Sequence, residues 1–168
     1  MNTAKSPYTH VRHTFEPVYD ENSRILILGS FPSVKSREND FYYGHPQNRF
    51  WKLMARLLGE PLPNTIEEKK TMLLHHRIAI WDVIAACDIK GSSDSSIRNV
   101  TPADLNRVLQ VADIEKIIAN GSTAFSLYKK YCEAQTGREA VKCPSTSPAN
   151  AVFTLDRLAD EWSRELTL

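Results

Sequence analysis

The sequence predicts an α/β protein with a three-layer α/β/α arrangement around a small, mainly parallel sheet of four strands. Three observations lead to this prediction. Short apolar runs alternate along the chain with stretches of helical period. The apolar runs show little polar alternation, which is typical of parallel strands buried on both faces. Segments rich in Gly, Pro, Ser and Asn follow the runs and mark their ends.

Each predicted strand is a short run of aliphatic and branched side chains. The run RILILG stops at Gly29, and IEKIIA stops before an Asn-Gly pair. The run IAIWDVI is apolar apart from one aspartate, and the last strand is short. The four predicted strands are residues 24–29, 78–84, 114–119 and 140–143.

The predicted helices are recognised by their apolar period and by the residues at their ends. The first has apolar side chains at helical spacing and is followed by Gly59, a favoured residue at a helix C-terminus. Glu67 and Glu68 fall in the first turn of the second, where the helix dipole favours carboxylates. Thr101 as N-cap and Pro102 at the first helical position begin the third. The predicted helices are residues 48–58, 65–76, 102–111, 123–134 and 154–166.

Length and composition indicate a single compact domain. The chain has 168 residues, of which 42% are hydrophobic and 24% charged, so it can bury a core of ordinary size. We predict a polar N-terminal arm at residues 1–23 and one α/β domain at residues 24–168. No stretch approaches the roughly 20 apolar residues that span a bilayer, and the first ten residues lack the apolar centre of a signal peptide. We therefore expect a cytoplasmic protein with no membrane partner, and we expect it to be monomeric.

Charge and cysteine content exclude several classes of protein. Lys and Arg number 21 against 20 Asp and Glu, so a uniformly basic nucleic-acid coat protein is excluded while a local basic face is not. The three cysteines contain no CxxC spacing and predict neither a disulfide framework nor a zinc knuckle. The chain lacks the glycine-rich nucleotide motifs, the GxSxG elbow and the HExxH metal motif. The sequence therefore predicts no metal and no cofactor.

The predicted ligand site lies beyond the carboxyl ends of the strands. In open α/β sheets ligands bind at that edge. Four segments follow the predicted strands, and they are also the places where Gly, Pro, Ser and Asn cluster: residues 29–33 with the extension to 51, 85–99, 120–122 and 144–150. We expect these segments to meet.

The residue types in these segments leave alternatives open. The rings of Phe31, Phe41, Tyr42 and Tyr43 can form a stacking platform for a flat ligand or can close the end of the sheet. Asp94 can act as a general base or as a turn former, and Arg98 can contact a phosphate. The segment PSTSPAN can bind a phosphate diester or cap the last helix. Residue chemistry alone predicts a site for a flat ring beside a phosphate. Five cations in these segments can bind DNA if they share one face: Lys35, Arg37, Arg49, Lys52 and Arg98.

The motifs at these segments resemble those of the uracil-DNA glycosylase superfamily. YGHPQNRFW (residues 43–51) is similar to a signature of the mismatch-specific uracil and thymine DNA glycosylases. Together with GSFPS (29–33), GSSDSSIR (91–98) and PSTSPAN (144–150), it is more similar still to the deoxyinosine (hypoxanthine) DNA glycosylase branch. The resemblance covers residues 24–166 in the same order.

The resemblance implies a role for each of these segments. Tyr43 matches the family's stacking aromatic, residues 29–33 match the motif whose backbone N–H groups meet the base, and residues 145–151 match the loop that enters the minor groove. It thus implies base-binding roles for Gly29, Ser30, Phe31 and Tyr43, and DNA-binding roles for Ser33, Arg98, Ser145, Thr146, Ser147, Pro148, Ala149 and Asn150.

One position departs from the family pattern. Phe31 occupies the place where the mismatch-specific enzymes have a catalytic asparagine. Asn48, in a motif that faces the same pocket, is the expected substitute, because an amide can orient water or a purine edge. Asp94 is the second predicted catalytic residue. Ala149 is small where related enzymes insert a larger side chain, which predicts weaker penetration of the duplex.

The function implied is that of a monofunctional DNA glycosylase acting on DNA that contains a deaminated base, without metal or covalent intermediate. Hypoxanthine is the expected base and uracil a lesser one, in the service of base excision repair. The alternatives are a mismatch-specific uracil or thymine glycosylase, a non-catalytic module that binds damaged bases, and an enzyme acting on free nucleosides.

Overall fold

Two β-sheets and seven helices form the described part of the chain, residues 7–91 and 93–167 of a computed structural model. The larger sheet has four parallel strands in the order β3-β2-β6-β7, and the smaller has three antiparallel strands in the order β1-β4-β5. The strands are β1 (Thr9–Arg12), β2 (Ile25–Gly29), β3 (Ile78–Asp82), β4 (Ile84–Ile89), β5 (Arg98–Pro102), β6 (Lys116–Asn120) and β7 (Val141–Cys143); the helices are α1 (Val34–Asn39), α2 (Phe50–Leu58), α3 (Ile66–His75), α4 (Asn106–Leu109), α5 (Ser122–Tyr131), α6 (Glu133–Thr136) and α7 (Leu155–Ser163).

The parallel sheet is the core of the protein. Every residue of β2 and β3 is buried, as the uninterrupted apolar runs predict. The chain leaves β2 toward β3 on one side and later crosses to β6 and β7 on the other. Because such crossovers are right-handed, the two directions place their helices on opposite faces of the sheet. The predicted α/β fold around a four-stranded parallel sheet is confirmed.

The apolar run at residues 78–84 is divided between the two sheets, where the sequence predicts one strand. β3 ends at Asp82, and β4 begins at Ile84 in the antiparallel sheet. The N–H groups of Val83 and Ile84 still donate to the carbonyl groups of Gly29 (2.9 Å) and Ser30 (3.2 Å). Hydrophobic pattern does not reveal this change of sheet, because both sides of the break are buried.

The helix predicted at residues 102–111 is wrong over its first half. Thr101 and Pro102 are not its N-cap and first residue but the end of β5, paired with Ala86 and Ile84. β5 is an edge strand, where proline is tolerated. Only the short α4 remains helical. Pairing with a strand more than ten positions earlier has outweighed the local capping signal.

The predicted N-terminal arm takes part in the fold over residues 7–23. β1 pairs with β4, and the following side chains of Phe15 and Val18 pack against the core. The N–H of Val18 donates to the Ile80 carbonyl at 3.0 Å. Residues 1–6 of the arm lie outside the described residues, as do Ser92 and Leu168 of the domain.

Several helix ends follow the predicted signals. Gly59 ends α2 with a φ of 66°, and the hydroxyl groups of Thr65 and Thr154 cap α3 and α7. The helix predicted at residues 123–134 is divided into α5 and α6 at Cys132. The sequence does not predict α1, which Ser33 caps. Among the residues that the structure describes, no helix has the length and apolar character needed to cross a membrane.

Candidate active site

A cavity of about 320 Å³ opens at the carboxyl edge of the parallel sheet. It is lined by the turn after β2, by the segment before α2, by the loop after β7, and by single residues that include Asp94 and Asn120. Of the predicted site residues, those that line it are Gly29, Ser30, Phe31, Ser33, Tyr43, Asn48, Asp94, Ser145, Thr146, Ser147, Pro148 and Ala149.

Arg98 and Asn150 do not line this cavity. Arg98 lies on the largely exposed strand β5, and its guanidinium is 3.5 Å from the ring centroid of Tyr8. The Asn150 amide donates to the Ser145 carbonyl at 3.0 Å and thereby closes the loop after β7 from within. Its position is that of a loop-stabilising residue rather than of an inserting tip.

The turn after β2 brings the backbone close to the cavity. A Cβ atom on Gly29 would lie 2.4 Å from Asp82 Oδ1, so only glycine fits there without displacing the carboxylate. Ser33 uses its hydroxyl to cap α1, accepting from the N–H of Ser36 at 3.2 Å. Phe31 is 9% exposed and packs with the core. The side chains of Phe31 and Ser33 therefore serve the fold, although both residues line the cavity.

The aromatic residues of the predicted platform have different positions. Phe41 and Tyr42 are buried in the core, and Tyr42 also lines the cavity. Tyr43 lines the cavity with a φ of 54°, and its ring stacks on Phe50 at a centroid distance of 4.1 Å. Burial raises the pKa of Tyr43, the nearby charge of Asp82 raises it further, and the Asn120 side chain lowers it. Tyr43 is therefore the ring in this group that is placed to meet a flat ligand.

Asn48 is held in one orientation by its neighbours. Its Oδ1 accepts a hydrogen bond from the backbone N–H of Phe50 and another from the Thr146 hydroxyl, both at 2.9 Å. Because a backbone N–H can only donate, the oxygen of the amide has to face it. The amide nitrogen has no hydrogen-bond partner in the described part of the chain. Asn48 therefore presents a donor to the cavity.

Thr146 connects the amides on either side of it. It is 1% exposed, its N–H donates to Asn120 Oδ1, and its hydroxyl accepts from Asn120 Nδ2, each at 3.0 Å. The same hydroxyl donates to Asn48. The N–H and the hydroxyl proton of Thr146 are thus both used within the protein, and Thr146 has no donor left for the predicted phosphate contact.

Arg49 holds the loop after β7 in place. Its guanidinium donates to the carbonyl groups of Ser147 (2.8 Å), Asn150 (3.1 Å) and Phe153. Its backbone N–H donates to the Thr146 carbonyl at 3.1 Å. The sequence predicts Arg49 as part of a cationic face for DNA, whereas in the structure the half-buried Arg49 acts as a clamp that binds the backbone carbonyl groups of this loop.

The tip of this loop is ordered by serine hydroxyl groups. Ser145 Oγ accepts from the Ser147 N–H at 3.1 Å, and Ser147 Oγ accepts from the Ala149 N–H at 3.2 Å. Ala149 is exposed at the end of the loop, beside Pro148. A second cavity adjoins the first and shares Ser145, Ser147 and Ala149 with it. The loop therefore lines both cavities.

Asp94 reaches the cavity from the three-residue turn Asp94–Ser96. Its Oδ1 accepts from the Ser30 hydroxyl at 3.3 Å. Protein atoms around its carboxyl group reduce hydration and raise the pKa of Asp94, and the charge of Asp82 acts in the same direction. The Ser30 hydrogen bond acts against them. Residues 85–89 and 98–99 of the predicted segment 85–99 belong to β4 and β5, and Asp94 is the residue of this segment that lines the cavity.

Two residues of the site were not predicted, Asp82 and His13, whereas Asn120 was expected there only as a member of the segment 120–122. Asp82, at the end of β3, lines the cavity, and its Oδ2 is 2.7 Å from His13 Nε2. Their side chains are 4% and 5% exposed. The single acid within the run IAIWDVI is a signal that could have pointed to Asp82. Nothing in the N-terminal segment distinguishes His13.

Potential metal ligands come together away from this cavity. Among the described residues, Glu60, His75 and His76 are the group whose ligand atoms lie within 4.8 Å of one another. The group lies at the end of α3, next to the amino end of β3, which is the edge of the sheet opposite to the cavity. His76 Nε2 and Glu60 Oε1 are already 3.0 Å apart. The cavity itself thus presents amide, hydroxyl and carboxylate groups.

Comparisons with known proteins agree with this geometry. The family model described as the uracil DNA glycosylase superfamily matches residues 16–166. A curated hypoxanthine DNA glycosylase of Methanosarcina acetivorans is 36% identical over 153 residues, which is 90% of this chain and 96% of that protein. One of Methanosarcina barkeri is 41% identical over 86 residues, 51% of this chain and 54% of that protein. An NMR structure from M. acetivorans, provisionally described as a uracil DNA glycosylase, matches with a TM-score of 0.79 at 36% identity over 94% of this chain and 97% of that one.

Proposed function

The chain belongs to the uracil DNA glycosylase superfamily, and we propose that it releases hypoxanthine from DNA, with uracil as a lesser substrate. As a DNA glycosylase it hydrolyses the N-glycosidic bond of a deaminated base in base excision repair. The observation that supports this most is the pairing, in one cavity, of the Tyr43 ring with the unpartnered amide nitrogen of Asn48. A ring and a hydrogen-bond donor are what a flipped base needs.

The first step is extrusion of the damaged nucleotide from the duplex. A base that pairs weakly costs least to flip, which favours deaminated bases. The cavity volume of about 320 Å³ lies within the range of small-ligand sites and admits a nucleobase. Tyr43 has one face against Phe50, which leaves the other for stacking on the base. Pro148 and the exposed Ala149 fill the gap in the duplex.

Asn48 stabilises the leaving base. Cleavage gives an oxocarbenium-like sugar and an anionic base, so donors aimed at the base lower the barrier. Both hydrogen bonds to Asn48 Oδ1 come from fixed donors, so its NH2 group is oriented before the substrate binds. The backbone N–H groups of Ser30 and Phe31 are the proposed further donors. Asn48 thus serves the leaving group rather than accepting a proton from water.

Asp94 positions the attacking water. It is a carboxylate beside Ser30 at the mouth of the cavity, and its raised pKa improves its strength as a proton acceptor. The two predicted catalytic residues therefore have complementary roles: Asn48 donates to the base and Asp94 accepts from water. Both roles are performed by side chains of the protein.

A modest basic face guides DNA to the site. Lys35 lines the cavity and is 55% exposed, and the Arg37 guanidinium lies over the Phe31 ring at 5.7 Å and donates to the Gly91 carbonyl. These cations lie near the cavity, whereas Arg49 and Arg98 do not face it. We expect DNA binding to weaken as the salt concentration rises. Because few phosphates are neutralised, the slope of log K against log salt should be shallow.

We further propose that the protein acts in the cytoplasm and as a monomer. The cavity is formed by segments of one chain, and no second copy is needed to complete it. Size-exclusion chromatography with light scattering, with and without an inosine-containing duplex, tests the monomeric state directly. A dimer in solution would contradict it.

Base release by the unmodified protein tests the function. Oligonucleotides containing deoxyinosine, deoxyuridine or a G·T mismatch, and free deoxyinosine, are incubated with excess protein. We expect hypoxanthine release from DNA to be fastest and free deoxyinosine to be unchanged. Release of uracil or thymine alone would indicate a mismatch-specific enzyme. Binding of inosine-containing DNA without release of any base would indicate a non-catalytic module.

A further inference from the structure

Two histidines and a glutamate come together at the edge of the sheet opposite to the cavity. Glu60 follows the glycine that ends α2, His75 is the last residue of α3, and His76 comes directly after it. One potential ligand atom of each residue lies within 4.8 Å of the others. His76 Nε2 and Glu60 Oε1 are 3.0 Å apart. The proposed glycosylase reaction uses none of these three side chains.

The end of α3 allows the two neighbouring histidines to converge. Side chains of adjacent residues within a helix do not face each other. His76 has left the helix, since its ψ of 13° differs from the helical value of about −42°. The two rings lie with their centroids 5.1 Å apart and their planes at 87°. His75 and His76 can therefore bind one ion together, which their adjacency in the sequence does not reveal.

Backbone hydrogen bonds fix two of the three residues. The Glu60 N–H donates to the Ala55 carbonyl at 2.9 Å, and the His76 N–H donates to the Leu73 carbonyl at 3.1 Å. His75 is exposed, and no hydrogen bond holds its ring within the part of the chain that the structure describes. Two ligand positions are thus anchored, and the third side chain is free to turn toward them.

The charge distribution at this edge favours a cation. Glu60 and His76 lie just beyond the C-terminal ends of α2 and α3, where unpaired carbonyl groups give each helix a partial negative charge. The Glu60 carboxylate adds a full negative charge. Imidazole nitrogen and carboxylate oxygen are ligands that zinc accepts together, whereas magnesium and calcium prefer oxygen alone.

We propose that Glu60, His75 and His76 form a zinc site with water at an open fourth position. Zinc binds nitrogen and oxygen at about 2.0–2.2 Å, so the ligand atoms of a tetrahedral site lie roughly 3.3–3.6 Å apart. His76 and Glu60 are already close to that separation, and a turn of the exposed His75 ring brings the third ligand. The ion takes the place of the proton that His76 and Glu60 share. Because Glu60 is distant from the histidines in the sequence, no metal motif marks the site.

The proposed ion has a structural role. It joins the end of α2 to the end of α3, where Arg77, with a φ of 62°, turns the chain into β3. The three ligands meet only in the folded chain, so zinc should stabilise the folded state by mass action. The site lies at the far edge of the sheet, so zinc bound there should leave base release unchanged.

Zinc titration of the untagged protein tests the site. Isothermal titration calorimetry compares the wild type with His75→Ala and with His10→Ala. His10 is the matched control, because it also pairs with a carboxylate, Asp88 at 2.8 Å, but belongs to no potential ligand group among the described residues.

We expect one zinc ion per chain in the wild type and in His10→Ala. In His75→Ala the affinity should fall at least about 100-fold, because even the loss of a residue that supports a ligand costs about 10- to 100-fold. Equal zinc affinity in the wild type and His75→Ala, or no binding to the wild type, would overturn the proposal.

Thermal unfolding provides a second readout. At a zinc concentration of about 100 times Kd, the Tm of the wild type should rise by about 5–10 °C, and magnesium should leave it unchanged. His75→Ala keeps the three buried cysteines, so zinc binding by the unfolded chain affects both proteins alike. The Tm of the variant should therefore not rise. The same response to zinc in both proteins would contradict the site.

Hypoxanthine release separates this inference from the proposed function. The wild type with and without zinc, and His75→Ala, should release the base at the same rate. Zinc binding without any base release would reject the proposed function and leave the zinc site in place. A rate that depends on zinc in the wild type but not in His75→Ala would contradict the purely structural role of the ion.

Discussion

The hydroxyl of Thr146 donates a 2.9 Å hydrogen bond to Oδ1 of Asn48, a residue 98 positions earlier in the chain. The direction of this bond is determined by its neighbours. The Thr146 N–H has to face the oxygen of Asn120, so the Asn120 NH2 group faces the Thr146 hydroxyl, and that hydroxyl has its proton free for Asn48. The relay leaves the NH2 group of Asn48 as the donor toward the base.

Thr146→Val tests this relay. Valine keeps the shape of the side chain but cannot donate to Asn48 or accept from Asn120. We expect hypoxanthine release to fall about 10-fold and the free energy of unfolding to fall by about 1–3 kcal/mol, the range for a buried polar group left without its partner. Thr71→Val, at an exposed position of α3, is the control. Full activity in Thr146→Val would show that Asn48 orients itself without the relay.

The clamp role of Arg49 predicts an effect on stability and not on the salt dependence of DNA binding. Arg49→Met removes the hydrogen bonds to the carbonyl groups of Ser147, Asn150 and Phe153. We expect the free energy of unfolding to fall by about 2–3 kcal/mol. The slope of log K against log salt should stay unchanged, whereas Lys35→Met should reduce it by about 1. A reduced slope in Arg49→Met would identify Arg49 as a phosphate contact after all.

The ionisation of Asp94 should produce the acid limb of the pH–rate profile. Its pKa is raised, and only the ionised form accepts a proton, so activity should fall as pH falls through a value above the ordinary Asp pKa of about 3.9. Asp94→Asn should remove this limb and lower the single-turnover rate about 100-fold, the lower end for general-base catalysis. A limb that persists in Asp94→Asn would assign it to another group.

The raised pKa of Asp94 also has a consequence for stability. A carboxyl group whose pKa is higher in the folded state binds protons more tightly there, so its ionised form opposes folding above that pKa. Asp94→Asn should therefore be at least as stable as the wild type at neutral pH. Thermal unfolding at pH 7 measures this, and a clear loss of stability would show that the carboxylate is needed for the fold.

Much of the site could be predicted because its residues lie in short, contiguous motifs. The turn at Gly29, the ring of Tyr43 and the amide of Asn48 follow or precede elements with strong local signals, and the carboxyl edge of a parallel sheet brings such segments together. The buried runs and the caps at Gly59 and Thr154 are local signals of the same kind.

The antiparallel sheet and its contribution to the site could not be predicted in this way. β1, β4 and β5 contain polar residues, and β1 pairs with the distant β4, Thr9 lying opposite Ile89. Such pairing partners are not visible in a local pattern. Asp82 was not predicted because the apolar run that contains it indicates only a buried strand. His13 belongs to the site because the segment after β1 places it against the end of that strand. The roles of Arg49 and Thr146 were missed because polar side chains near a site can serve the backbone rather than the ligand.

The most direct test of the account is the rate of hypoxanthine release under single-turnover conditions by the wild type and Asn48→Ala. We expect release by the wild type and a loss of about 100- to 1,000-fold in the variant, the effect of removing a donor that stabilises developing negative charge. Asn64→Ala, at an exposed position, controls for the loss of an amide elsewhere and should keep the wild-type rate. Equal rates in wild type and Asn48→Ala would contradict the proposed role of Asn48 in stabilising the leaving base.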